Sequence, residues 1–243
     1  MARALSKLGY CSRSDAFELI RGGTVAVNGR VRRDPEWPVH PGKDRIEING
    51  SELCVAEKVY RVLNKPRGVV TSAADEKGRA TVYANLPAGT PWVGPVGRLD
   101  KASEGLLLLT NDSEWAARVT DPKTHLDKTY HVQIAALADD RLIDSLKEGV
   151  RSADGELLRV KDARLVRSAE KSSWLEIVLD EGKNRQIRRI FEGLDIEVLR
   201  LLRIAIGPLV LGDLAKGATR SLSVEEKKLL DQAIPSLKAD QES

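Results

Sequence analysis

Cysteine, histidine and long apolar runs are what this sequence has least of. Its 243 residues contain two cysteines and three histidines. Cys11 and Cys54 form no Cys-x-x-Cys pair and no Cys/His cluster with metal-ligand spacing. That pattern argues against a zinc site, and both thiols are expected in the reduced state of a cytosolic protein. No apolar run reaches the roughly 18 residues that a membrane-spanning helix needs. The N-terminal stretch MARALSKLGYCSRSD has neither a long apolar segment nor a small-residue cleavage site, so no secretory signal is expected. There is no P-loop and no Gly-x-Gly-x-x-Gly, and hence no sign of a nucleotide cofactor.

What is present reads as an ordinary soluble globular chain, 42% apolar and 31% charged. The length allows one large domain, or a small one followed by a medium one. The net charge of +3 says little, but its placement says more. Residues 1–33 carry Arg3, Lys7, Arg13, Arg21, Arg30, Arg32 and Arg33 against Asp15 and Glu18, a local charge of +5. The rest of the chain is therefore slightly acidic. A basic head on a near-neutral body suits an RNA-anchoring module. A solvated basic surface with no partner explains the same charges equally well.

The head has its own pattern. Ala2, Leu5 and Leu8 recur at helical spacing, and Gly9 ends that helix. Ser12 is a fitting N-cap for a second helix with Asp15 in its first turn and Ala16, Phe17, Leu19 and Ile20 as its apolar face. Gly22-Gly23 stops it. Asn28-Gly29 between short β-rich runs predicts a hairpin, because both turn residues need positive φ. A further strand is expected at Arg45–Ile48. Near residues 57–59 the texture changes to short strands, expected at 59–64, 68–71, 93–96, 105–110, 128–134, 173–179 and 197–204. Helices fit 114–120, 139–148, 184–193 and 224–233. This mixture lacks a regular βαβ rhythm and predicts an α+β fold with a mainly antiparallel sheet.

The most informative stretch is Pro95-Val-Gly-Arg-Leu-Asp100-Lys-Ala-Ser-Glu-Gly105, followed by four leucines. It sets a carboxylate on a loop between two strands, with Gly97 and Gly105 free to bend the backbone on either side. Capping a turn is the commoner role for an isolated Asp and stays open for Asp100 at this point. Near the C-terminal third, Arg185, Arg188 and Arg189 fall on one face of the expected helix, opposite Ile187, Ile190 and Leu194. Phosphate contacts are the expected role of Lys183, Arg185 and Arg189. From residue type alone, Tyr130, Trp115 and Trp174 are expected in the core, and His125 and His131 are expected to be structural.

Four blocks, taken in order, resemble the pseudouridine synthases, in particular the ribosomal-RNA branch of the RsuA family. Leu8-Gly-Tyr-Cys-Ser-Arg-Ser-Asp, with Val27-Asn-Gly, is similar to an S4 RNA-binding module. Leu63-Asn-Lys-Pro-Arg-Gly-Val-Val-Thr71, Gly97-Arg-Leu-Asp100 with Gly105–Asp112, and Glu181–Arg189 with Leu202-Arg-Ile-Ala-Ile-Gly-Pro resemble the catalytic blocks. Ser103 and Ile190 stand where the family usually has Thr and Met, and neither removes a polar catalytic group. The resemblance implies a small S4-like α/β RNA-binding domain over 1–58, a pseudouridine synthase catalytic domain over 59–236 and a flexible tail over 237–243. It implies cofactor-free isomerisation of a chosen uridine in ribosomal RNA, with base flipping. Asp100 would be the catalytic carboxylate; attack on the base, attack on the sugar and removal of a sugar proton all stay open. Arg188 would pair with Asp100, Tyr130 would stack on the target base, and Arg98 would fill the vacated stack or hold the flipped phosphate. Arg3, Lys7, Arg13, Arg21 and Arg30 would bind RNA from the head. The implied partner is ribosomal RNA or an assembling ribosomal subunit, met by a cytoplasmic monomer with no membrane contact, no metal and no cofactor.

Overall fold

Short-range chemistry builds the N-terminal unit. Helix α1 (Ala2–Lys7) ends where Gly9 takes φ +78°. Helix α2 (Arg13–Arg21) starts at Ser12, whose hydroxyl oxygen accepts the Asp15 amide at 3.0 Å while its O–H donates to the Asp15 carboxylate at 2.7 Å. The reciprocal cap satisfies an amide that the helix leaves open. Strands β1 (Val25–Val27) and β2 (Arg30–Val31) turn on Asn28-Gly29, with φ +51° and +76°. Strands β3 (Ile46–Ile48) and β4 (Ser51–Glu52) complete an antiparallel sheet of order β2-β1-β3-β4. Leu5, Ala16, Ile20, Val25, Val27, Ile46 and Ile48 form its core.

The structure is a computed structural model that describes residues 1–72 and 78–234, so the tail expected over 237–243 lies outside the described residues. After residue 59 the elements are β5 (Tyr60–Lys65), β6 (Gly94–Val96), β7 (Glu104–Thr110), α3 (Ser113–Thr120), β8 (Lys128–Ile134), α4 (Asp140–Glu148), β9 (Val150–Arg151) and β10 (Leu157–Leu158). They continue as β11 (Asp162–Ser168), β12 (Ser173–Leu179), α5 (Gln186–Glu192), β13 (Val198–Ile206), β14 (Leu209–Val210), β15 (Thr219–Ser221) and α6 (Val224–Ala233). The large sheet runs β11-β12-β8-β13-β7-β5-β15, with β6 beside β7 and β14 beside β13. Its pairings are antiparallel except for β7 against β13. The α+β class and mainly antiparallel sheet expected from the sequence are those observed. Among the described residues no helix is long and apolar enough to cross a membrane.

Strand β7 is buried along its whole length, as its four leucines require. Leu107 and Leu109 point to one face, here called the front, with Leu63, Val82, Val93 and Leu99. Leu106 and Leu108 point to the back, where Trp115 and Val119 of α3 and Leu230 of α6 cover them. Farther along the front, Val132, Leu175 and Ile177 pack under Leu146 of α4 and Ile187, Ile190 and Phe191 of α5. The two units meet through Asn111. Its side chain accepts the Val59 amide at 2.8 Å and donates to the Glu57 carbonyl at 2.7 Å. An exposed ion pair, Lys7–Glu114 at 2.9 Å, lies nearby.

Two expected elements differ. Residues 68–71 form no strand; the Gly68 amide donates to the Lys101 carbonyl and the Val70 amide to that of Ala80, which leaves a single bridge between Val70 and Thr81. The helix expected from residue 184 starts at Gln186, since Arg185 adopts a left-handed conformation at φ +49°. Arg185 therefore does not share a helical face with Arg188 and Arg189. Strand β11 was not anticipated. It is an edge strand with Ala163 as its buried residue, so it lacks the alternating apolar pattern that marks a half-buried strand.

Gly105 is fixed by the parallel seam. A Cβ there would lie 2.2 Å from the Arg203 carbonyl oxygen, and φ is +102°. Gly105→Ala should therefore cost about 2–4 kcal/mol of stability, combining backbone strain with overpacking. Urea unfolding of the two proteins checks this; a loss under about 0.5 kcal/mol would show that the seam can open freely.

Candidate active site

The residues between β6 and β7 carry Asp100, and their backbone is held from Leu99 to Ser103. Five successive carbonyls, from Leu99 to Ser103, accept hydrogen bonds. The Thr71 hydroxyl donates to Leu99 at 2.7 Å, and the Gly68 amide to Lys101 at 2.7 Å. The Arg188 guanidinium reaches the Ala102 carbonyl at 3.4 Å. The ammonium of Lys65 donates to Asp100 at 3.1 Å and to Ser103 at 2.8 Å, with a third bond to Pro66 at 3.1 Å. Thr71 also receives the Leu99 amide at 3.4 Å. The donors lie some thirty residues before the loop or nearly ninety after it, so the loop is fixed by tertiary contacts. Asp100 itself is half-buried, and among the described residues its carboxylate takes no hydrogen bond or ion pair.

Lys65 was not singled out from the sequence, although a lysine inside the apolar run Val62-Leu63-Asn64-Lys65 and directly before Pro66 was the available signal. It is fully buried. Burial pushes its pKa down to about 8, opposed in part by the nearby charges of Asp100 and Glu104. Glu104, next to Ser103 in the chain, is buried too. Burial alone would raise its carboxyl, but Lys216 at 2.6 Å and Arg200 at 3.2 Å outweigh that and hold it below the usual range.

Arg188 lies close enough to feel Asp100, yet it forms no ion pair with it, contrary to the sequence expectation. Its Nη atoms reach the carbonyls of Ala102 and Val198 instead, each at 3.4 Å. Its Nε is buried without a partner among the described residues. Burial lowers the guanidinium pKa, Arg185 and Arg67 push the same way, and Asp100 opposes them. Arg67, exposed and not among the sequence-predicted site residues, thus lies near Arg188. Tyr130 stands opposite Ile177 and Arg203 on the front face and packs between the Leu99 cluster and the α4–α5 cluster. The structure therefore brings Asp100, Arg188 and Tyr130 to one face. Arg98 is exposed beside them.

The other expected phosphate ligands are already occupied. Arg189 is bound by Asp154 and Glu156, each at 2.7 Å, and points to the β9–β10 hairpin. Its guanidinium, ahead of the Ser152 hydroxyl, holds the Asp154 carboxyl down to about 2. Lys183 lies 3.3 Å from Glu156 and 3.2 Å from Glu181, and Arg185 lies 3.6 Å from Glu192. In the head, Lys7 is paired with Glu114, and Arg21 lies over the Phe17 ring at 5.8 Å. Arg3, Arg13 and Arg30 are exposed and take no ion pair among the described residues.

Titration of Lys65 gives a test. Above its folded pKa of about 8 and below the unfolded value near 10.5, the unfolded chain binds the extra proton, so this group makes stability rise with pH across that window. Below pH 8 the burial penalty is present in full. The rise in urea stability from pH 8 to 10.5 should accordingly be smaller in Lys65→Met than in the unaltered protein. Equal slopes would show that Lys65 titrates as an ordinary exposed lysine.

Comparison with known proteins identifies the family. A family model described as RNA pseudouridylate synthase matches residues 59–193, and an S4 domain model matches residues 2–46. A ribosomal large subunit pseudouridine synthase B from Bacillus subtilis is 38% identical over 95% of this chain and 94% of its own length. An RNA pseudouridine synthase from Aquifex aeolicus is 37% identical over 95% of this chain and 92% of its own. A crystal structure of a pseudouridylate synthase, 30% identical, superposes with a TM-score of 0.65 and covers 94% of this chain and 98% of that one. The chain belongs to the RNA pseudouridine synthases, isomerases built here from an S4 domain followed by the synthase domain.

Proposed function

We propose that this enzyme isomerises a specific uridine of ribosomal RNA and that Asp100 is its catalytic carboxylate. The observation that carries this reading is the fixed run of carbonyls from Leu99 to Ser103, which holds Asp100 in place while its carboxylate takes no partner among the described residues. A group kept rigid and free of competing partners is preorganised for a reacting nucleotide. The reaction exchanges a glycosidic C–N bond for a C–C bond within one nucleotide. No electrons are gained or lost and no water is consumed, so this reading needs neither metal nor cofactor.

Roles follow from placement. The target must leave its stack to reach Asp100, at a cost of a few kcal/mol. Tyr130 offers a ring on the same face for the extruded base, and exposed Arg98 is available to the gap or to the flipped phosphate. Arg188 orients the loop through Ala102 and supplies positive charge near Asp100. Residues 1–58 act as the anchoring unit and 59–236 as the catalytic unit. Arg3, Arg13 and Arg30 are cations of the anchor that take no ion pair among the described residues. Ribosomal RNA is favoured as substrate by the relative from Bacillus subtilis, which acts on the large subunit.

Tritium release from RNA labelled at uridine C5 tests the assignment. Asp100→Asn should abolish release while RNA affinity stays within a few-fold. Arg188→Lys should lower the single-turnover rate more than it lowers affinity, because lysine cannot reproduce the planar fork. Appreciable turnover by Asp100→Asn would sink the assignment. For the anchor, replacing Arg3, Arg13 and Arg30 together by alanine should reduce the slope of log affinity against log salt by about three if each neutralises one phosphate. An unchanged slope would remove these residues from the interface.

A further inference from the structure

The back of the large sheet is covered over only half its width. Helices α3 and α6 cover β7 and β5 there. Across β11, β12, β8 and the first half of β13 no described helix joins a buried cluster on that face, whereas Leu202 and Ile206 of β13 lie in the α3–α6 cluster, and α4 and α5 fill the front. The register sets one row of back-facing side chains across these four strands: Arg167, Trp174, Gln133 and Arg200. Trp174 is half-buried and belongs to none of the core clusters, although its residue type suggests the core. The guanidinium carbons of Arg167 and Arg200 lie 5.5 and 5.6 Å from its ring centre. Arg200 is also tied to Glu104, but Arg167 is exposed and takes no ion pair among the described residues.

We infer that this row is a second RNA contact, a stacking platform for an unpaired stretch of the substrate on the face opposite Asp100. An aromatic ring on an open sheet offers its surface to any unstacked base, and flanking arginines meet the phosphates on either side. Charge favours this occupant: two arginines frame the ring, and no carboxylate stands in its row. The inference rests on the reading of the enzyme as an RNA isomerase, since it supplies that substrate with a second point of attachment. A strand held here would set which part of a large RNA reaches the front, without touching the reacting nucleotide.

A single-stranded oligoadenylate of about 20 nucleotides is the probe. It has no uridine, so its binding reports on contact and not on isomerisation. Trp174→Ala and Arg167→Glu, in the full chain, should each weaken its binding about tenfold, and Arg167→Ala should lower the salt slope by about one. Trp174→Phe should remove most of the fluorescence quenching that oligoadenylate causes. Tritium release from a short stem-loop carrying the target uridine should be unchanged in all four variants. Arg167 is exposed and outside the cores, so Arg167→Glu decides the matter should Trp174→Ala fold poorly. Oligoadenylate binding that is the same in Arg167→Glu and the unaltered enzyme would overturn the inference and leave this face bare or open to a protein. Absence of tritium release by the unaltered enzyme on ribosomal RNA would instead overturn the isomerase reading alone.

Discussion

The buried ammonium of Lys65 is the contact on which the catalytic side of the molecule depends. Taking a charge out of water is costly, and the depressed pKa records that cost. It is offset by three carbonyl dipoles, two of which belong to the loop that carries Asp100. A neutral side chain would have left the Pro66 and Ser103 carbonyls without this donor, at about 1–3 kcal/mol each, and the Asp100 carbonyl with the Ser103 amide alone. Lys65 ends β5, a strand locked into the sheet by six paired residues of β7, so the loop inherits the rigidity of the core. The position of Asp100 is thus a property of the sheet, transmitted through one side chain.

The same seam explains the close parallel approach of β7 and β13. Gly105 admits the Arg203 carbonyl where any side chain would collide with it. Beyond that point the strands part, and the buried Arg203 fills the gap by donating to the Leu106 carbonyl at 2.8 Å. Glu104, one residue before the glycine, faces the back and is neutralised by Lys216 and Arg200. Buried charge therefore lies on both faces of the sheet around the start of β7. Each charge is answered by a group distant in sequence, which makes this junction hard to alter piecemeal.

Local signals in the sequence were reliable where local chemistry decides. Ser12 with Asp15, and Asn28 with Gly29, made their helix start and their turn as written, because capping and positive φ depend on neighbours within four residues. The all-leucine strand β7 was legible from its apolar run. What escaped was decided at long range. Nothing near residue 65 reveals that its ammonium will meet carbonyls at 100 and 103. Edge strand β11 exposes nearly all its side chains and so carries no two-residue period. Trp174 was assigned to the core by residue type, and only the register of four strands puts it on an uncovered face.

The arginines of α5 show why residue type does not settle role. Arg185, Arg188 and Arg189 lie within five positions, yet a left-handed residue and a turn of helix send them to three surroundings. Arg189 meets two carboxylates on the β9–β10 hairpin. Arg185 lies across from Glu192 at the far end of the helix. Arg188 turns inward toward Ala102 and the charge of Asp100. Exposed pairs such as those of Arg185 contribute little to stability and exchange readily with a polyanion. The half-buried Arg188 has no such freedom. A nucleotide phosphate could recruit the first kind of arginine from its carboxylate. The second kind is committed to the loop, so of the three it is Arg188 that meets the backbone carrying Asp100.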